Sequence, residues 1–166
     1  ILAVISLTNQ AKREKDATKK EALFDWYWQH SAGINNWDLV DVSVSTLLGG
    51  LPLTVKRRVF VKKIIKSPKL WERRMAMVAT LGWLKQGEEK VVMELAAELL
   101  QDTHDLMHKA AGWCLRELGK KNERALRGFL DVYTPCMPRT MLRYAIERFS
   151  LEERKRYLAI PREKKR

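Results

Sequence analysis

The residues whose types and spacing could do chemistry stand together at Asn35-Asn36-Trp37-Asp38-Leu39-Val40-Asp41. Asn35 and Asn36 can cap a helix, and Asp38 suits the positive end of that helix. Trp37 and Asp41 then stand four residues apart, on one face and one turn from each other. Val40, Val44 and Leu47 form the neighbouring apolar stripe and would hold the helix in a core. The indole and the carboxylate are therefore expected at the rim of the surface that the helix presents. A fixed carboxylate there can stabilise developing positive charge or orient a water. A core tryptophan beside a solvated acid explains the same stretch more plainly, and this stretch alone favours that explanation.

The chain around it is strongly basic. Its 166 residues hold 32 lysines and arginines against 20 acids, a formal net charge of +12, with a pI of about 9.9. A surplus of that size points to a polyanion, nucleic acid first and an anionic membrane second. An acid beside a tryptophan stands out against such a background, and a DNA-processing centre would explain it. Apolar residues make up 46%, enough for one folded domain with a real core. The longest apolar run, Ile1 to Leu7, falls far short of the ~20 residues that span a bilayer. It also lacks the basic segment and small-residue cleavage site of a secretory signal. Cys114 and Cys136 lie in apolar surroundings and form no disulfide framework, so a reducing, intracellular compartment is expected. The chain has no initiator methionine and opens inside what reads as the back half of a helix, as a fragment would.

Helical periodicity runs almost throughout, and strand-like alternation is nearly absent. The pattern predicts helices near 1–13, 17–31, 36–48, 54–66, 69–86, 88–101, 103–119, 122–132, 138–149 and 151–158. Gly119 fits a C-terminal cap and Pro138 a first helical turn. Short helices joined by short loops invite a search for a repeat. Trp37, Arg73, Lys109 and Arg143 recur at steps of 36, 36 and 34 residues. Such a step suits HEAT-like or armadillo-like helix pairs, which run ~40 residues each. One helix of every pair would line a concave surface: 36–48, 69–86, 103–119 and 138–149.

The third of these carries two stripes. Met107, Ala110, Cys114 and Leu118 make a core face, while Lys109, Trp113, Arg116 and Lys120 make a cation–aromatic face. Cations there can hold phosphates, and an indole can meet a base, a sugar or another cation. Ordinary packing of Trp113 beside a solvated basic face accounts for the stripe equally well. On helix 69–86, Arg74 falls on a largely apolar stripe between Trp71 and Val78. A cation near the core wants an acid or a phosphate, so an Arg–Asp bridge between repeats and a DNA contact both fit. The segment Thr54 to Arg74 holds nine cations and one acid. Lys56, Arg57, Arg58, Lys62, Lys63 and Lys66 alternate there with Val55, Val59, Ile64 and Ile65, an amphipathic basic helix able to clamp a DNA backbone or lie on a membrane. His104 and His108 stand four apart, but no third metal ligand has suitable spacing. Neither a phosphate-cradling glycine motif nor a Ser-His-Asp set emerges.

Four motifs in order resemble the AlkD-like DNA alkylation repair enzymes: Asn36 to Asp41, Leu70 to Arg74, His104 to Glu117 and Met137 to Glu147. The resemblance covers about Asn35 to Phe149. It implies an all-α fold, a HEAT-like solenoid with a basic concave groove. It implies one domain over 1–158, short of the family's N-terminal helices, and a basic tail at 159–166. The implied activity is that of a monofunctional alkylpurine DNA glycosylase acting on cationic bases such as N7-alkylguanine and N3-alkyladenine. Asp41 matches the catalytic carboxylate, Trp37 and Trp113 the aromatic pair beside the lesion nucleotide, and Arg74 the arginine on the DNA backbone. Arg73, Lys109, Arg116, Arg139, Arg143, Lys62 and Lys63 are the further cations expected on DNA. The partner is duplex DNA with alkylated bases. The protein is expected as a monomer in the cytoplasm at the nucleoid, without membrane, metal or cofactor. The segment Val42 to Thr46 departs from the family, where a proline is common.

A non-catalytic helical-repeat module gripping DNA or RNA would use the same cations, and a protein-binding solenoid would share the fold alone. Trp37 with Asp41 separates the first of these from an enzyme, since a carboxylate in a phosphate groove repels the ligand.

Overall fold

The computed structural model describes residues 1–162, and every regular element among them is a helix. In chain order these are α1 (Leu2–Arg13), α2 (Ala17–Gln29), α3 (Trp37–Leu47), α4 (Val55–Ile64), α5 (Leu70–Lys85), α6 (Glu89–Glu98), α7 (Asp105–Lys121), α8 (Glu123–Tyr133), α9 (Arg139–Ala145) and α10 (Leu151–Ala159). Single 3-10 turns lie at Ser31–Gly33 and Leu99–Gln101. The all-helical expectation is met. No described helix is long and apolar enough to cross a membrane. Side-chain caps set several starts: Asp16, Asn36, Thr54 and Asn122 each accept from a backbone N–H of the first turn. Each such cap is worth about 1 kcal/mol.

The chain divides into two compact units, Ile1–Val91 and Val92–Arg166. In the first, α3 packs on α5, α1 and α2 on α3, and α4 on α5. Val40, Val44 and Leu47 form the buried stripe of α3, as the spacing predicts. Trp83 on α5 is fully buried, and its Nε1 donates to the Leu51 carbonyl at 2.8 Å, so its one polar atom is satisfied. The α3–α5 crossing is set by Gly82. A Cβ there would lie 2.2 Å from the Ser45 carbonyl oxygen and 2.4 Å from the Gly49 backbone. Backbone cannot rotate away as a side chain can. Gly82→Ala is therefore expected to lose about 1–3 kcal/mol or more, measured as a lower urea midpoint. An unchanged midpoint would show that the two helices do not meet this closely.

In the second unit, α7 packs on α8 and α9, and α10 on α9. Met107, Ala110, Cys114 and Leu118 are its buried stripe. Both cysteines are free thiols, Cys114 buried and Cys136 half-buried. Arg127 staples α8 to α10: it donates to Glu153 at 2.7 Å and to Glu123 at 2.8 Å, and its guanidinium lies 4.5 Å from the centre of the Phe149 ring. Glu153 also caps its own helix through Ser150. The Arg127 hydrogen bond, then those of Ser150, pull the Glu153 carboxyl down to about 2 from its ordinary 4.5. A carboxyl lowered in the folded state stabilises above its unfolded pKa and loses that contribution as pH falls through the folded value. Arg127→Ala should therefore melt below the wild type at pH 7, with the gap closing as pH approaches 2. A gap independent of pH would assign Arg127's role to packing on Phe149 instead.

Two local expectations need correction. Gly119 does not end its helix: α7 runs on to Lys121. A Cβ at Gly119 would meet Leu126 Cδ2 at 2.5 Å, so the glycine admits α8 and does not cap. Pro138 stands one place before α9, at its N-cap. On α4, Val61, Ile64 and Ile65 turn inward, whereas Val55 and Val59 are 83% and 64% exposed beside Lys62, Lys63 and Lys66. The expected tail at 159–166 begins with the last residue of α10, and 163–166 lie outside the described residues.

Candidate active site around Asp41

Asn36 opens α3 by accepting from the Asp38 backbone N–H, and Asp38 sits in the first turn. This start points Val40 and Val44 into the core and brings Trp37 and Asp41 to its edge. Trp37 is 48% exposed, and the Asp41 side chain keeps 17% of its surface open. The rim position expected from spacing is the one observed.

Arg74 meets Asp41 from the adjacent helix α5. Its Nε donates to Asp41 Oδ1 at 2.9 Å and a terminal nitrogen to Oδ2 at 2.8 Å. The pairing is side-on and two-pronged, which fixes the plane of the carboxylate. Arg74 is only 5% exposed. Of the two partners that its position on the apolar stripe allowed, the structure supplies the acid. Each carboxylate oxygen keeps a second lone pair, so the group can still accept from a water or face a cation.

A second layer lies behind Asp41. Tyr27 on α2 is 2% exposed, and its hydroxyl lies 2.9 Å from Ser43 Oγ. Ser43 sends its own proton to the Leu39 carbonyl at 2.6 Å, so Tyr27 is the donor between the two hydroxyls. Burial pushes the Tyr27 hydroxyl up to about 12, the Ser43 bond opposes this, and the Asp41 charge adds to it. The phenol thus stays neutral beside the carboxylate. Neither Tyr27 nor Ser43 was singled out from sequence. The only signal was Ser43 falling on the buried side of α3, where a hydroxyl needs a partner.

The other predicted residues divide by what they touch. Arg73 donates to the Ser67 and Pro68 carbonyls at 2.9 and 3.2 Å, bracing the turn into α5. Lys62 and Lys63 lie on the exposed face of α4. In the second unit, Trp113 is half-buried on α7. Lys109 pairs with Asp105 at 2.8 Å, Arg116 pairs with Glu147, and Arg139 donates to the Ile160 carbonyl at 2.6 Å. Arg143 and Lys63 are exposed without an ion pair among the described residues. The structure therefore brings together Trp37, Asp41 and Arg74 in the first unit and Lys109, Trp113 and Arg116 along α7 in the second. His104 and His108 serve the backbone: His104 accepts from the Leu106 N–H, and His108 Nε2 lies 2.6 Å from the Asp102 carbonyl. No group of three or more His, Cys, Asp or Glu gathers among the described residues.

An all-helical, strongly basic chain with a braced carboxylate at the foot of an exposed indole is the setting in which family comparison becomes informative. The chain belongs to the DNA alkylation repair enzyme family, whose model matches residues 1–149. Membership gives it a role in DNA repair, as an enzyme with DNA as its partner. No curated protein and no solved structure matches it.

Proposed function

We propose that the protein is a DNA glycosylase that hydrolyses the N-glycosidic bond of cationic alkylated purines, N7-alkylguanine and N3-alkyladenine, in duplex DNA. The observation that carries this is the Asp41 carboxylate, fixed in plane by Arg74 and partly open beside the exposed Trp37. An alkylated purine that is already cationic leaves as a neutral base, so it needs no general acid. Positive charge develops on the deoxyribose instead. A fixed carboxylate beside the anomeric carbon stabilises that charge and orients the attacking water. One acid then suffices where many sugar hydrolases use two. An indole face adds about 0.5–2 kcal/mol of attraction for a cationic base or sugar. The helix pairs are taken as HEAT-like repeats whose basic faces hold the phosphates, with Lys63 and Arg143 exposed and outside any ion pair among the described residues.

Trp113 is the second indole assigned to the base by resemblance. Trp113→Ala is expected to slow base release roughly 2- to 30-fold, in line with a single indole–cation contact. Its affinity for undamaged duplex should change less than that. Equal losses in release and binding would make Trp113 a packing residue. The activity itself is tested by incubating the protein with a duplex carrying one 7-methylguanine, then cleaving abasic sites with alkali. Strand scission at the lesion is expected, and a duplex that stays intact contradicts the proposal.

One observation favours a second reading. The Asp41–Arg74 pair joins two packed helices and would serve a non-catalytic DNA-binding module as a structural bridge. That module would bind the methylated duplex and release no base.

A further inference from the structure

The far end of α3 carries a second feature of single-signed charge. A cleft of about 300 Å³ opens where α1, α2, the α3–α4 turn and the end of α5 converge within the first unit. Lys12, Lys20 and Lys85 line it together with Ser45 and Thr46, and no carboxylate does. None of the three ammonium groups is in an ion pair, and neither hydroxyl is hydrogen-bonded, among the described residues. That is unusual for helical Ser and Thr, whose hydroxyls commonly bond back to the preceding turn, as Ser43 does on the same helix. Two carbonyls of the turn that line the cleft are already satisfied by side chains, since Gln86 Nε2 donates to Gly49 O at 2.7 Å and Trp83 Nε1 to Leu51 O at 2.8 Å. By contrast, the larger cleft between α2 and α4 is lined by both signs, with Glu21 and Asp25 beside Lys56 and Arg57.

Three lysines lining one cleft with no carboxylate among its lining residues cost Coulomb energy unless an anion answers them. Lysine meets a phosphate as a compact point charge, and hydroxyls donate to its remaining oxygens. We infer that this cleft is a phosphate-binding site, separate from the Asp41 carboxylate and independent of whether Asp41 is catalytic. Ser45 stands one turn beyond Asp41 on the same face of α3, roughly 6 Å along the axis. A backbone phosphate of DNA seated there would be one nucleotide step from the carboxylate, and a free phosphate ester would meet the same donors.

The test is a titration of the ¹⁵N-labelled protein with pyrophosphate at low salt, reading the amide signals of Ser45, Thr46, Gly49 and Gly50. Saturable shifts are expected in the wild type and in a control with Lys15, Lys90 and Lys155 changed to Gln, which removes equal charge elsewhere. In the triple variant Lys12→Gln, Lys20→Gln and Lys85→Gln the same shifts should need at least tenfold more pyrophosphate. Circular dichroism and thermal melting confirm that both variants stay folded. No shift in the wild type, or equal shifts in both variants, would overturn the site. Undamaged duplex then distinguishes the source. If duplex moves the same signals and blocks pyrophosphate, the occupant is the DNA backbone. If pyrophosphate still binds beside saturating duplex, the occupant is a free phosphate ester.

Discussion

Replacing Arg74 by alanine is expected to lower stability by about 3–5 kcal/mol, the largest loss foreseen for any single surface or core change discussed above. Both partners lie largely away from water, with 6% of the Arg74 side chain and 17% of Asp41 exposed. Taking charges out of water is costly, so the intact pair adds little net stability. Removing one partner is different, because it strands a carboxylate whose two hydrogen bonds are gone. In a chain of this size the loss corresponds to a melting point roughly 6–20 °C lower. The double variant Arg74→Met with Asp41→Asn should recover much of it, since no lone charge then remains. Urea unfolding of the two single variants and the double one measures the coupling directly. Additive losses would mean that the two side chains do not form the pair described. Base release should fall as well in the Arg74 single variant, because no other hydrogen bond among the described residues holds the plane of the carboxylate.

Asp41→Asn is the complementary case, with its largest effect expected on chemistry. Asparagine keeps the size of the side chain and still offers Arg74 one acceptor, so the fold should survive with a smaller loss. What disappears is the negative charge facing the sugar. Loss of one preorganised electrostatic partner of a transition state typically slows a reaction on the order of 100- to 1000-fold, and the same is expected here. Duplex affinity should hold or rise slightly, since a negative charge near the phosphates has been removed. A structural bridge predicts the reverse: lower stability with no enzymatic consequence.

Much of this was legible in the sequence, for identifiable reasons. Period-3.6 stripes placed every helix to within a few residues, and Val40, Val44, Met107 and Leu118 are buried as their spacing requires. The edge position of Trp37 and Asp41 follows from the same stripe. So does the burial of Arg74, whose need for a partner was clear while the identity of that partner was not. Choosing Asp41 requires knowing that α3 and α5 cross through Gly82, a contact 37 residues apart in sequence that no local pattern encodes. Tyr27 was hidden for the same reason, because its partner Ser43 belongs to another helix. Gly119 misled because a glycine late in a helix looks the same whether it caps or makes room for Leu126. The amphipathic pattern of α4 left open which apolar residues are covered, and packing on α5 leaves Val55 and Val59 exposed. The unpaired lysines around Ser45 come from three separate helices and so left no motif at all.

The central claim is that the Asp41 carboxylate performs base excision. It is tested most directly by single-turnover release of 7-methylguanine from a methylated duplex, wild type beside Asp41→Asn, with duplex binding measured for both at the same salt. The expected result is release by the wild type, a loss of about 100-fold or more in the variant, and duplex binding by the variant no weaker than the wild type's. Equal rates for the two proteins, or binding without release by either, would contradict it.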